Sequence, residues 1–308
     1  MLPRTQFNTR RAAQTSHGTG LSPNTAGALL MMASMACFTI NDAMVKATAG
    51  EVPLFQLLFI RGVIASVLIY AMARLRGSLR AAVPPGDRRL IALRSLSEVA
   101  AAYFFLSALM QMPLANVSAV LQALPLTVTL ASALFFNEPV GWKRWTAILV
   151  GFCGMLLILR PGPEGFSIWS IYALLAVLSV TVRDLCARRL SPGVPSMTVT
   201  LAASITVTVC AGLASATTPW SPVGSVNAAL IAGSALFVVG GYFCSVQVMR
   251  SGDVAFIAPF RYTSLLWALL LGWVIFGDWP APLTMLGAAI IVATGLFTLY
   301  RERKVAAD

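Results

Sequence analysis

Apolar residues along this chain come in long runs, and polar or charged ones gather in the short gaps between them. Ten stretches are mostly apolar: 25–47, 53–75, 90–110, 113–136, 143–160, 166–188, 195–217, 226–249, 254–276 and 280–300. A bilayer core about 30 Å thick takes about 20 such residues in a helix to cross it. The pattern therefore predicts an all-α membrane fold with ten transmembrane helices, numbered here 1 to 10 in that order. Residues 1–24 and 301–308 are predicted as polar tails, and helix 1 as a retained span rather than a cleaved signal, because it is long and carries Asp42 and Lys46.

Composition removes the main alternative. The chain is 58% apolar and 11% charged, against roughly 45–50% and 25% in soluble domains, so a water-soluble fold has no surface to draw on. The net charge of +11 raises the question of nucleic acid. Its basic residues sit at helix ends and form no single patch, so no nucleic-acid partner is expected. They alternate instead. Arg4, Arg10 and Arg11 precede helix 1, Arg74 to Arg89 lie between helices 2 and 3, and Lys143 and Arg144 follow helix 4. Arg188, Arg189, Arg250, Arg301, Arg303 and Lys304 continue the series, while the opposite connections hold little beyond Lys46 and Arg160. Cytoplasmic connections carry such an excess, so both termini are predicted cytoplasmic, in a bacterial inner membrane. The five cysteines, Cys37, Cys153, Cys186, Cys210 and Cys244, show no C-x-x-C spacing. They read as small apolar fillers, with no disulfide and no metal.

The two halves of the chain resemble each other. TINDAMVKATAGEVP begins at Thr39 and TVRDLCARRLSPGVP at Thr181, 142 residues on, which aligns Asp42 with Asp184 and Lys46 with Arg188. At an offset of 139, Tyr103-Phe104 of helix 3 meets Tyr242-Phe243 of helix 8, and Met110 meets Met249. At 140, Phe136 and Glu138 meet Phe276 and Asp278. Helices 1–5 and 6–10 thus read as one duplicated unit, spanning 25–162 and 163–300. Five is odd, so the second unit is inverted relative to the first. Inverted repeats that meet at the bilayer midplane are an architecture of secondary transporters, which rock one part against another around a central site.

The stretch from LRSLSEVAAAYFF through GMLLILRPG (93–162) resembles the EamA-type repeat of the drug/metabolite transporter superfamily, and ALLLGWVIFGDWPAPLTMLGAAIIVATGLF (268–297) resembles its second copy. The resemblance implies two inverted five-helix units, with helices 3, 4, 8 and 9 around a central cavity beside helices 1 and 6. It also implies a carrier whose cargo ranges, across the family, over amino acids, S-adenosylmethionine, nucleotide sugars, triose phosphates and amphipathic cations.

Ionisable side chains in the apolar runs are costly and normally face a cavity or a partner. The repeat sorts them. Asp42 and Asp184 are matched, which points to a gating or structural task each half needs, with direct substrate contact as the alternative. Arg61, Glu98 and Arg261 align with Ala203, Phe237 and Leu121. A substrate lacks two-fold symmetry, so these unmatched charges are the substrate-binding candidates. On helix 9 the 3–4 spacing of Ala258, Arg261, Leu265, Ala268 and Gly272 predicts one face of mostly small residues, on which Arg261 can hold a carboxylate through two parallel hydrogen bonds; snorkelling or pairing with Glu98 or Asp184 is the alternative. Arg94 and Glu98, four apart, can pair on one helix face, and Glu98 is a candidate proton carrier. Gln122 adds a polar contact on helix 4. Pro125 there and Pro259 in helix 9 each free a carbonyl, as interrupted transporter helices do near their sites. Tyr103, Tyr242 and Trp267 are candidate aromatic walls.

No catalytic motif is present, and the one histidine, His17, lies in the tail. An enzyme, a cofactor and a channel are therefore not expected. The expected protein is an alternating-access carrier, monomer or homodimer, that exports a small amphipathic metabolite, an amino acid or a relative. The alternatives are uptake of S-adenosylmethionine or another cationic metabolite, and a lipid-headgroup flippase with a lateral opening and a basic groove.

Overall fold

A computed structural model describes residues 22–80, 83–136, 141–159, 167–248 and 254–307. Arg160, Glu138, Met249, Arg250 and His17 lie outside these, as do residues 1–21 of the tail. Among the described residues there are ten helices long and apolar enough to cross a membrane, at Pro23–Ala47, Leu54–Leu75, Pro85–Gln111, Leu114–Phe136, Trp142–Leu159, Ile168–Arg188, Ser196–Ser215, Ser225–Val248, Ala258–Phe276 and Pro282–Arg301.

Local chemistry marks their ends. Ser22 and Ser167 cap helices 1 and 6, accepting from the backbone N–H of Thr25 and Ser170, so the first helix of each half of the chain opens on a serine cap. Prolines 53, 84, 113 and 195 stand where helices 2, 3, 4 and 7 begin, where a missing N–H costs nothing. Helix 9 closes at Gly277, whose φ of 68° turns the chain so that its N–H reaches the Trp273 carbonyl at 3.0 Å.

The side on which helix 1 begins is called the N face and the opposite side the far face. Helix 1 packs on helices 8 and 9, and helix 6 packs correspondingly on helices 3 and 4. Helix 2 pairs with helix 7, and helix 5 with helix 10. Small residues let the backbones approach, which is how helices associate where lipid supplies no hydrophobic drive. Gly62 of helix 2 faces Thr208 of helix 7, Gly241 of helix 8 faces Phe38 of helix 1, and Gly154 of helix 5 faces Gly287 of helix 10.

Polar ties at the two faces repeat each other. At the far face, Gln56 and Ser221 exchange hydrogen bonds of 2.9 and 3.0 Å, and Asn227 donates to Glu51 at 2.5 Å. At the N face, Thr198 donates to the Ser78 carbonyl at 3.0 Å and the Ser191 N–H to Asp87 at 3.3 Å. Each tie joins the start of one helix to a connection in the other half, and so anchors the shell around the centre.

Candidate functional site

A central cavity of about 820 Å³ is lined from helices 1, 2, 3, 4, 6, 7, 8 and 9. Its wall includes Arg76 and Ser78 after helix 2 and residues 190–192, 194 and 195 between helices 6 and 7, so it opens at the N face. No described residue of the far-face connections lines it. There the path is shut. Lys46 Nζ donates to the carbonyls of Leu109 and Met112 at 3.2 and 2.7 Å, and Phe55, Tyr103, Phe104, Trp169 and Tyr172 pack into an aromatic cluster in the same half of the bundle.

Among the described residues the wall carries five guanidinium groups, Arg61, Arg76, Arg94, Arg183 and Arg261, against three carboxylates, Asp42, Glu98 and Asp184. Much of this charge is organised into two networks. On one side Asn41 donates to Asp42 at 2.8 Å and accepts from Arg61 at 3.1 Å. On the other, Arg183 bonds Asp184 at 2.9 Å and reaches Glu98 at 3.4 Å, while Arg94 stands 4.0 Å from Glu98. The second network leaves groups unused: among the described residues, Arg94 Nη1 and Glu98 Oε2 are buried without a hydrogen-bond partner. Buried polar atoms in that condition are costly and are the points at which a polar ligand gains most.

Arg261 differs from Arg61, Arg94 and Arg183, and from Arg76, which lies 4.7 Å over the Phe243 ring. No hydrogen bond or ion pair joins Arg261 to another described residue, so neither pairing with Glu98 nor pairing with Asp184 occurs. It lies in the 3₁₀ segment Ala258–Tyr262 that opens helix 9 around Pro259. Three residues per turn put i and i+3 in line, and Ser264, not Leu265, shares the cavity wall with Arg261. Helix 4 breaks at the corresponding height, between Leu121 and Leu124 just before Pro125. Gln122 at this break bonds Ser264 of helix 9, so the two interrupted helices meet beneath the cavity. Pro125 and Pro259 themselves stand off its wall.

Asp42, Arg61, Glu98, Gln122, Asp184, Tyr242 and Arg261 thus share one cavity. Two of the expected aromatic walls do not. Trp267 is six residues beyond Arg261, which at 100° per residue turns it to the other side of helix 9. Tyr103 stacks on Phe55 at 5.7 Å and packs against Phe104 and Tyr172, in the far-face half where the bundle is closed. Phe38 and Phe105 line the cavity in their place. Neither stood out in the sequence, since a phenylalanine facing a cavity and one facing lipid look alike there. Asn41 and Ser264 were detectable only as polar neighbours of Asp42 and Arg261.

A second, lateral groove of about 620 Å³ runs between helices 4, 9 and 10 and is lined by apolar residues with Thr263, Thr284 and Tyr262. None of its described lining residues is charged. The two faces of helix 9 separate it from the central cavity.

The sequence profile of the EamA-like transporter family matches residues 25–160 and again 167–300. The S-adenosylmethionine uptake transporter of Rickettsia conorii is 30% identical over 62% of this chain, which spans 65% of that transporter's length. The pseudopaline exporter CntI of Pseudomonas aeruginosa is 25% identical over 91% of this chain and 97% of its own. A crystal structure of another protein matches 91% of this chain and 98% of that one with a TM-score of 0.59 at 21% identity, a likeness of fold.

Proposed function

Because this chain belongs to the EamA-like transporter family, we propose that it carries an amino acid or a close relative out of the cell by alternating access, with the N face in the bacterial cytoplasm. The observation that carries the reading is Arg261, a guanidinium without a hydrogen-bond or ion-pair partner among the described residues, on the wall of a cavity that holds charges of both signs. A zwitterion suits that wall. Its carboxylate takes Arg261, its ammonium the Glu98 oxygen that accepts no hydrogen bond, and its side chain the apolar surface of Phe38, Phe105 and Leu106. The N face is assigned to the cytoplasm on its excess of Lys and Arg.

A second reading is uptake of S-adenosylmethionine or another cationic metabolite, favoured by the similarity to the Rickettsia transporter. Five arginines against three carboxylates weigh against a cargo that is cationic alone. Lipid-headgroup flipping would need a basic lateral groove, and the groove beside helix 9 is lined without charge.

Counterflow in proteoliposomes across a metabolite panel tests the reading, with ligand binding measured on the wild type and on Arg261→Gln. A charge-assisted hydrogen bond contributes roughly 1.5–3 kcal/mol, and 1.4 kcal/mol is about tenfold. The variant should therefore bind a free amino acid about ten- to a hundredfold more weakly, and its amide nearly as well as before. Equal losses for acid and amide would remove the carboxylate from Arg261.

A further inference from the structure

Lys46 ties two packed groups of helices together, and it does so at one face only. Helix 1 packs on helices 8 and 9, helix 6 on helices 3 and 4. Lys46 ends helix 1 at the far face, where its Nζ stands 5.3 Å from the centroid of the Phe276 ring of helix 9, inside its own group. From there it crosses to the other group. The carbonyls it takes, Leu109 and Met112 at 3.2 and 2.7 Å, belong to the end of helix 3. Carbonyls at a helix end lack intrahelical donors and carry the negative end of the helix dipole, so they hold a cation well.

The sequence repeat places Arg188 at the end of helix 6 where Lys46 stands in helix 1, Phe136 where Phe276 stands, and Val248 where Leu109 stands. At the N face the contact within the group is present. Arg189 lies 3.8 Å over the Phe136 ring, and Arg188 donates to Ser132 of helix 4 at 3.4 Å. The crossing to the other group has no counterpart among the described contacts at this face. Arg188 is exposed, whereas Lys46 is half-buried. The same asymmetry divides the tyrosines: Tyr242 lines the open cavity, while its repeat mate Tyr103 is packed on Phe55 at the closed face.

We infer that Arg188 is the N-face staple of the opposite state: when the cavity opens at the far face, Lys46 releases the end of helix 3 and Arg188 donates to carbonyls in the last turn of helix 8. The inference rests on the alternating-access reading above. Each staple stabilises the state in which its own face is shut. Removing Lys46 therefore favours opening at the far face, and removing Arg188 favours opening at the N face, although the two side chains carry the same charge.

The test replaces Val238, a cavity-lining residue halfway along helix 8 and clear of its last turn, with cysteine on an otherwise cysteine-free full-length chain. Its rate of modification by a membrane-impermeant maleimide is measured in vesicles of both orientations. Lys46→Gln should raise the rate from the far-face side about tenfold, equivalent to about 1.4 kcal/mol. Arg188→Gln should lower that rate by about the same factor, with modification from the N face remaining rapid, and Arg188→Lys should restore it. Because Arg188 is exposed, its variants test the idea even if Lys46→Gln does not fold. An Arg188→Gln rate equal to or above the parent's from the far-face side overturns the staple. A parent cysteine that reacts from the N face alone overturns alternating access itself, and the staple with it.

Discussion

Helices 5 and 10 meet backbone to backbone, and replacing Gly287 with alanine should force them apart. A Cβ at Gly287 would lie 2.4 Å from the carbonyl oxygen of Gly154 and 2.8 Å from Cγ1 of Ile158. The isoleucine can turn away, but the carbonyl is held by the hydrogen bonding of its own helix. The two backbones must separate by roughly 0.6 Å to reach even the 3.0 Å that real Cβ contacts hardly ever undercut. That movement loosens the neighbouring contact of Gly154 with Ile290, where the gap for a Cβ is 2.8 Å. Overpacking of this kind costs about 1–3 kcal/mol. Gly240→Ala is the matched control, since its Cβ would meet only Cys37 Sγ at an ordinary 3.7 Å. Both changes gain the same backbone stiffness, worth roughly 0.5–1 kcal/mol in a helix, so the difference between them isolates the close approach. Unfolding by SDS in mixed micelles should place Gly287→Ala below Gly240→Ala by at least about 1 kcal/mol. Two variants of equal stability would refute the argument, because the glycine contact would then be too loose to matter.

Two further outcomes are expected. Asp42→Ala or Asp184→Ala should slow turnover of every transported compound, whereas Glu98→Gln should alter affinity or substrate range with folded yield preserved; a panel of initial rates separates these, and selectivity changes confined to the aspartate variants would reverse the roles. Single cysteines placed at Gly86 and at Val223 should be labelled from opposite sides of the membrane, and labelling of both from one side would break the ten-crossing topology.

The sequence alone determined the number and approximate limits of the membrane crossings, because a bilayer imposes a run of apolar residues that nothing else in a chain needs. It was less informative where helices leave the apolar layer. Helix 3 begins at Pro85 rather than near residue 90, and the last helix continues to Ala307, since a helix that projects into the interface no longer has to be apolar. Asp42, Glu98 and Arg261 were legible as cavity candidates for the same reason that the spans were: a charge in an apolar run has to be excused by a partner or by water. Tertiary structure decided the rest. Lipid and protein interior are both apolar, so the pattern does not tell a wall residue such as Phe105 from a lipid-facing one, and the 3₁₀ turn at Pro259 shifted the cavity face of helix 9 from Leu265 to Ser264. Most of all, a repeat in sequence is symmetric while a conformation is not. Tyr103 and Tyr242 hold matched places in the sequence repeat, as do Lys46 and Arg188, and only the packing of the whole bundle, closed at the far face and open at the N face, makes Tyr242 a cavity wall and Tyr103 a packed ring, and ties Lys46 to helix 3 while Arg188 stays exposed.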